Sequence, residues 1–218
     1  MLALSYSTIN NCLQRTNSHN WLNKVQGIKP EDKWYFTAGR NAHGIVQRHV
    51  SKKELNTVLE TIENIKDLCF PIVEEVDFDP RCKFTYKIPY GEKGEYDLIG
   101  FVDGRDEEWE HGLELKFSSQ LWSLMKFKNA MQRKVYALGV PTLEDMTLIT
   151  ASKDPAEWEK ETPKVFTVPS TLADGEEALQ WIIDGIKVLE GGDYTGGLTN
   201  GVCLDMNCNW GKNCSFKE

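Results

Sequence analysis

The sequence predicts an α/β protein: a mixed central β-sheet flanked by helices, with a helical N-terminal part and a cysteine-rich C-terminal tail. Two patterns carry that expectation. Short runs of strand character cluster mid-chain at 72–77, 84–89, 96–103 and 113–117, and two more follow near 146–150 and 164–168. Stretches of helical periodicity stand among them, at 121–138 and 175–189. Strands and helices in this order bury their apolar faces most simply as a sheet with helices packed on it.

The elements are justified in chain order. In the segment 4–15, Ser7 is expected to cap a short helix that carries Cys12. A helix over 52–68 puts Leu55, Val58, Leu59, Ile62 and Ile65 on one face. Residues Gly100-Phe101-Val102-Asp103 read as a strand ending in an acid, and Gly104 with the charged run 105–108 reads as a turn. In the next strand Leu113, Leu115 and Phe117 alternate with Glu114 and Lys116, which places the acid and the lysine on one face. A single helix is expected over 121–138, with Leu121, Leu124, Met125, Phe127, Ala130, Met131, Val135 and Leu138 as its apolar stripe. Gly139-Val140-Pro141 ends it. The glycine-rich stretch 191–197 reads as a hinge into the tail. At 24.9 kDa the chain is expected to be one domain, organised as a helical part (1–68), a core (69–190) and a hinge with tail (191–218).

Asp103, Glu114 and Lys116 have the makings of a phosphodiesterase site. Carboxylates hold a hard divalent cation through oxygen. Such a cation polarises a phosphate and acidifies a bound water, and a lysine can orient that water and offset developing charge. Glu-x-Lys alone usually marks a solvated strand face. The acid one hairpin upstream sharpens it. Gln132 and Tyr136, four apart, share a face of the following helix, and Lys128, Arg133 and Lys134 lie near them. Gln and Tyr at that spacing would otherwise be an ordinary helix rim.

In this order the motifs resemble the PD-(D/E)XK nuclease superfamily, specifically its RecB-like branch, over a stretch from about residue 5 to the C-terminus. The matching residues are Asp103, Glu114, Lys116, Gln132 and Tyr136, with His43 in the segment 38–44 resembling the family's Gly-x-x-x-His. The resemblance implies a restriction-endonuclease-like core. It implies a Mg²⁺ or Mn²⁺ site made by His43, Asp103, Glu114 and the main-chain carbonyl of Leu115. Lys116 would position the nucleophile, while Gln132 and Tyr136 would hold the strand and the site's geometry. By itself His43, beside Ile45, Val46 and Val50, would more often be a buried or surface histidine.

Three of the six cysteines crowd the tail: Cys203, Cys208 and Cys214. A short tail with little core of its own can be held by a metal centre, and three thiolates call for a fourth ligand. Cys12 is the candidate. The N-terminal Ser-x-Ser…Cys segment resembles that of AddB-type nucleases and CRISPR-associated RecB-like exonucleases. In that group one N-terminal and three C-terminal cysteines bind a [4Fe–4S] cluster. The trio here departs from the group's Cys-x2-Cys-x5-Cys by having four residues in its first gap. That leaves room for zinc or for metal-free buried thiols, though zinc sites usually show two short knuckle spacings. Cys69 and Cys82 read as buried structural thiols.

A net charge of −8 argues against a general nucleic-acid coat. It does not exclude a nuclease, because acidic ligands are neutralised by their cations and phosphates meet local patches. Such patches are Arg40, Arg48, Lys52 and Lys53, and then Lys126, Lys128, Arg133 and Lys134. Trp21, Trp34, Tyr35 and Phe36 could stack bases, although a core role fits most of them better. No signal peptide or membrane span is apparent, and the sparse cysteines suit a reducing cytoplasm, in a bacterial, archaeal or phage-infected cell. The expected function is a metal-dependent DNA nuclease, an exonuclease, acting on single strands or duplex ends. Partner proteins of recombination, repair or CRISPR adaptation fit such a role. The alternative is a non-catalytic DNA-binding or adaptor protein stapled by iron–sulfur or zinc.

Overall fold

A computed structural model describes residues 2–13, 82–90, 94–152 and 163–191. The expected helix over 52–68, the strand over 72–77, His43, Cys69 and the tail with Cys203, Cys208 and Cys214 lie outside the described residues. The architecture is mixed α/β, with two sheets accompanied by helices. The chain gathers into two compact units: Met1–Lys33 with Thr85–Ile99 and Glu177–Glu218, and Trp34–Phe84 with Gly100–Glu176.

In the first unit β1 (Leu2–Leu4) runs parallel to β3 (Tyr96–Phe101), with Leu4 opposite Leu98. The strand β2 (Lys83–Ile88) lies on the other side of β3. The helix α1 (Tyr6–Leu13) starts at Ser5, whose hydroxyl accepts the N–H of Thr8 at 3.3 Å. Ser5, not Ser7, is therefore the cap; Ser7 falls inside the first turn. The last helix, α4 (Leu172–Gly191), packs on α1. Tyr6 stacks on Trp181 with centroids 5.5 Å apart. Gly185 lets Ile9 approach so closely that a Cβ there would strike its side chain. Tyr96 donates to Glu190 at 2.8 Å, and burial, then Glu190, pushes its phenol up to about 12.

The second unit holds a four-stranded sheet in the order β4-β5-β6-β7. Its strands are β4 (Gly104–Arg105), β5 (His111–Ser118), β6 (Asp145–Ser152) and β7 (Lys164–Pro169). The middle pair is parallel and the two outer pairs antiparallel. Parallel neighbours need a crossover, which α2 (Leu124–Lys128) and α3 (Met131–Gly139) supply between β5 and β6. Burial follows the topology. Leu113, Glu114 and Leu115 are buried in succession, as are Leu148 to Ser152, so both faces of the middle strands are covered. The edge strand β7 is mostly exposed and carries Lys164 and Pro169 near its ends, which discourages edge pairing.

The single helix expected over 121–138 is two. Ser123 caps α2 by accepting the N–H of Lys126 at 3.2 Å. The chain leaves helical torsion at Ala130 (φ −68°, ψ 120°) and α3 begins afresh. Phe127 and Val135, either side of the break, are both 1% exposed, so the apolar stripe continues although the helix does not. No described helix is long and apolar enough to cross a membrane.

Candidate functional site

Asp103 stands where β3 has ended and β4 begins. The N–H of Val102 donates to the carbonyl of Cys82 at 3.1 Å, and that of Asp103 to Leu113 at 3.1 Å. With only two residues in β4, backbone pairing then runs out. The carboxylate of Asp103 continues it by accepting the N–H of Leu115 at 2.8 Å. An acid 8% exposed is thereby fixed on the strand that carries Glu114.

Period-two geometry on β5 brings Lys116 back to the side of Glu114, and the lysine ammonium donates to the Glu114 carboxylate. Glu114 is 3% exposed, so this is a buried acid rather than the hydrated strand face that Glu-x-Lys usually marks. The same ammonium donates to Oε1 of Gln132 on α3 at 3.1 Å. The amide Nε2 of Gln132 donates to the Tyr136 hydroxyl at 2.6 Å, and the charge of Glu114 acts on the Tyr136 phenol. Since lysine only donates, the amide can be oriented one way: oxygen to Lys116, nitrogen to Tyr136. Glu114, Lys116, Gln132 and Tyr136 thus form a chain of hydrogen bonds from a strand to the crossover helix.

Burial, and then the charges of Glu114 and Asp103, hold the Tyr136 phenol well above its ordinary value of 10, against the hydrogen bond from Gln132. Tyr136 is therefore neutral at physiological pH, and both carboxylates act on it electrostatically. Its ring is seated edge-on against Phe84, with centroids 6.0 Å apart. Phe84 itself fits because Gly100 and Gly139 carry no Cβ; one at either would strike its ring. The glycine in the Gly-x-x-Asp segment is therefore a packing residue as well as part of a motif.

The basic residues divide. Lys128 is exposed. Arg133, expected to contact nucleic acid, is corrected to a structural role. It is 2% exposed, and its guanidinium forks onto the Asp174 carboxylate at 2.6 and 3.1 Å while donating to the carbonyls of Lys128 and Pro169. A guanidinium so fully engaged has no donor left for a phosphate. Lys134 is also buried, at 9% exposure, and does not present an open cationic surface. Trp122 is a neighbour of the site that the sequence did not single out, its indole carrying the ammonium groups of Lys116 and Lys126.

Among the described residues, two donor sets could hold a cation. The first is Asp103 with Glu114: buried oxygen donors on one strand junction, answered nearby by the single ammonium of Lys116. That chemistry fits a hard divalent ion. The further ligands expected, His43 and the carbonyl of Leu115, add one histidine outside the described residues and one main-chain oxygen on β5. The second set is Asp106, Glu110 and His111, whose ligand atoms lie within 4.8 Å of one another. These side chains already serve the β4–β5 turn. One oxygen of Asp106 accepts the N–H groups of Glu110 and His111 at 2.9 and 3.0 Å, and His111 bonds Asp145 at 3.0 Å. Cys12 is buried on α1 at 3% exposure.

No family model matches the sequence, and no curated protein matches it. Among solved structures, one described as "Crystal structure of SSO0001" is similar at 14% identity, covering 81% of this chain and 86% of its own, with a TM-score of 0.39. A likeness at that score carries nothing about the site.

Proposed function

We propose that this chain is a metal-dependent DNA nuclease, an exonuclease with a restriction-endonuclease-like core. One observation carries the reading: the hydrogen-bonded chain of Glu114, Lys116, Gln132 and Tyr136, with Asp103 anchored on the same strand. Asp103 and Glu114, with His43 and the carbonyl of Leu115, would hold Mg²⁺ or Mn²⁺. When bound, that cation supplies Lewis-acid polarisation of a phosphodiester and a water acidic enough to attack it. The protein's share is positioning. Lys116, part-buried between Glu114 and Gln132, holds a fixed positive charge where negative charge develops on a phosphate. Gln132 and Tyr136 keep that ammonium from swinging to solvent. The tail cysteines Cys203, Cys208 and Cys214 with Cys12 would bind a [4Fe–4S] cluster, with zinc the lesser candidate.

The test is direct. Purified protein is incubated with end-labelled single-stranded and duplex DNA, with and without Mn²⁺, beside the Glu114→Gln and Lys116→Ala variants. Metal-dependent cleavage lost in both variants supports the reading. Binding without cleavage in the wild type points instead to an adaptor. Iron and zinc analysis of anaerobically prepared protein decides the tail's metal.

A further inference from the structure

Trp122 lies on the connection between β5 and α2, and its place there is fixed. Its backbone N–H donates to Oγ1 of Thr150, a fully buried residue of β6, at 3.1 Å. Two cations from different elements meet on its indole. Lys116 Nζ stands 5.5 Å from the ring centroid and Lys126 Nζ 4.4 Å. Both distances fall within the roughly 6 Å over which an indole attracts an ammonium ion. The two charges can be no further apart than those distances together, although one belongs to a strand and the other to a helix. Lys126 is exposed, and among the described residues no carboxylate pairs with it. Just before it the surface of α2 is apolar, with Leu124 48% and Met125 64% exposed. An unneutralised lysine held beside the site's own lysine, on an apolar ledge, fits an anion carried on a partly apolar strand.

We propose that Lys116, Lys126 and Trp122 form a phosphate subsite. Lys126 takes the phosphodiester next to the one presented to Lys116, and Trp122 is a positioning residue that holds both ammonium groups. This deepens the nuclease reading and rests on it. Two like charges over one ring repel each other, and a phosphate bound between them removes that repulsion. The indole is occupied by cations, so it orients charge rather than serving as a base-stacking platform.

The experiment is steady-state cleavage of an end-labelled oligothymidylate in Mn²⁺, with KM followed as KCl is raised from about 50 to 200 mM. Lys126→Gln is compared with wild type and with Lys187→Gln, a charge control on α4. Loss of one phosphate contact on a single strand should lower the slope of log KM against log salt by about 0.7. KM should rise several-fold, the loss falling on KM rather than kcat. Trp122→Ala should raise KM and also lower kcat, because Lys116 loses its ring, and Trp122→Phe should recover part of both. Equal salt slopes for Lys126→Gln and Lys187→Gln overturn the subsite while leaving the nuclease reading intact. A wild type that cleaves no DNA overturns both. Should Trp122→Ala fail to fold by circular dichroism, Lys126→Gln decides alone.

Discussion

The Asp103 carboxylate completes the β-ladder by accepting the N–H of Leu115 at 2.8 Å, a bond that a backbone carbonyl would make if β4 were longer. A residue expected only to bind metal therefore also closes a strand pair, and the two roles separate by substitution. Asp103→Ala leaves a buried N–H with no acceptor, which should cost about 1–3 kcal/mol. Asp103→Asn keeps an acceptor oxygen and loses the charge. The alanine variant should unfold at lower urea, the asparagine variant near wild type, and both should lose cleavage. Equal midpoints for the two variants would remove the ladder role.

The Arg133–Asp174 pair should be a main electrostatic support of the second unit. It is bidentate, with the guanidinium buried and the carboxylate half-buried, and it ties α3 to the start of α4. Asp174→Ala strands the buried guanidinium and should destabilise by about 3–5 kcal/mol, while Arg133→Ala leaves a half-buried carboxylate and should cost less. Burial alone would raise the Asp174 carboxyl, but hydrogen bonds from Arg133 and Thr171 and the Arg133 charge hold it below its ordinary 3.8. A group depressed in the folded state binds its proton first when unfolded. Its contribution is thus present above pH 3.8 and lost as pH falls through the lower folded value. Urea titrations across acid pH should show that loss in wild type and lack it in Asp174→Asn.

That pair also marks where the sequence stopped being informative. Arg133 sits beside Lys128 and Lys134 in a basic run, and its partner lies 41 residues away, so nothing local says that it is buried. The helix break at Ala130 was hidden for a related reason: apolar periodicity reports which residues face inward, and both sides of the break do. The strands β2, β3, β5, β6 and β7 were legible from their apolar and β-branched runs, whereas the short β1 and the two-residue β4, read as part of a turn, were not. Order and spacing grouped Asp103, Glu114, Lys116, Gln132 and Tyr136 as an expected set. The hydrogen bonds from Lys116 to Gln132 and from Gln132 to Tyr136 were not legible, since they depend on how the crossover seats α3 beside β5. Trp122 gave no signal, being one of seven tryptophans with nothing in its neighbours to single it out.

His111 should titrate late. Burial acts to lower its imidazole, but the hydrogen bond and charge of Asp145, with Asp106 and Glu110, outweigh it and hold the pKa above 6.5. His111 and Asp145 are register partners at the start of the parallel β5–β6 pair, so the bond ties the two strand beginnings. A raised folded value means the stabilisation is full below pH 6.5 and lost as pH rises through the folded pKa. With four histidines in the chain, the ring resonances can be followed singly by NMR. Asp145→Asn should bring the His111 midpoint down. A midpoint unmoved by that substitution would dissolve the pairing.

The hydrogen-bonded chain of Glu114, Lys116, Gln132 and Tyr136 should behave as a unit in the proposed cleavage. Tyr136→Phe keeps the edge contact with Phe84 and removes only the hydroxyl that accepts from Gln132. Gln132→Ala removes the same hydrogen bond from the other side and frees the Lys116 ammonium on its α3 flank. Displacing a positioned charge by about 1 Å can cost about a hundred-fold in rate, so each single variant should lose cleavage on that scale. Because either change breaks the same Gln132–Tyr136 hydrogen bond, the double variant should be little worse than the worse single one. Circular dichroism should report intact folds, so that lost rate is not lost protein. Losses that multiply in the double variant would show two independent residues, and the chain of hydrogen bonds would then be packing between β5 and α3 rather than a catalytic assembly.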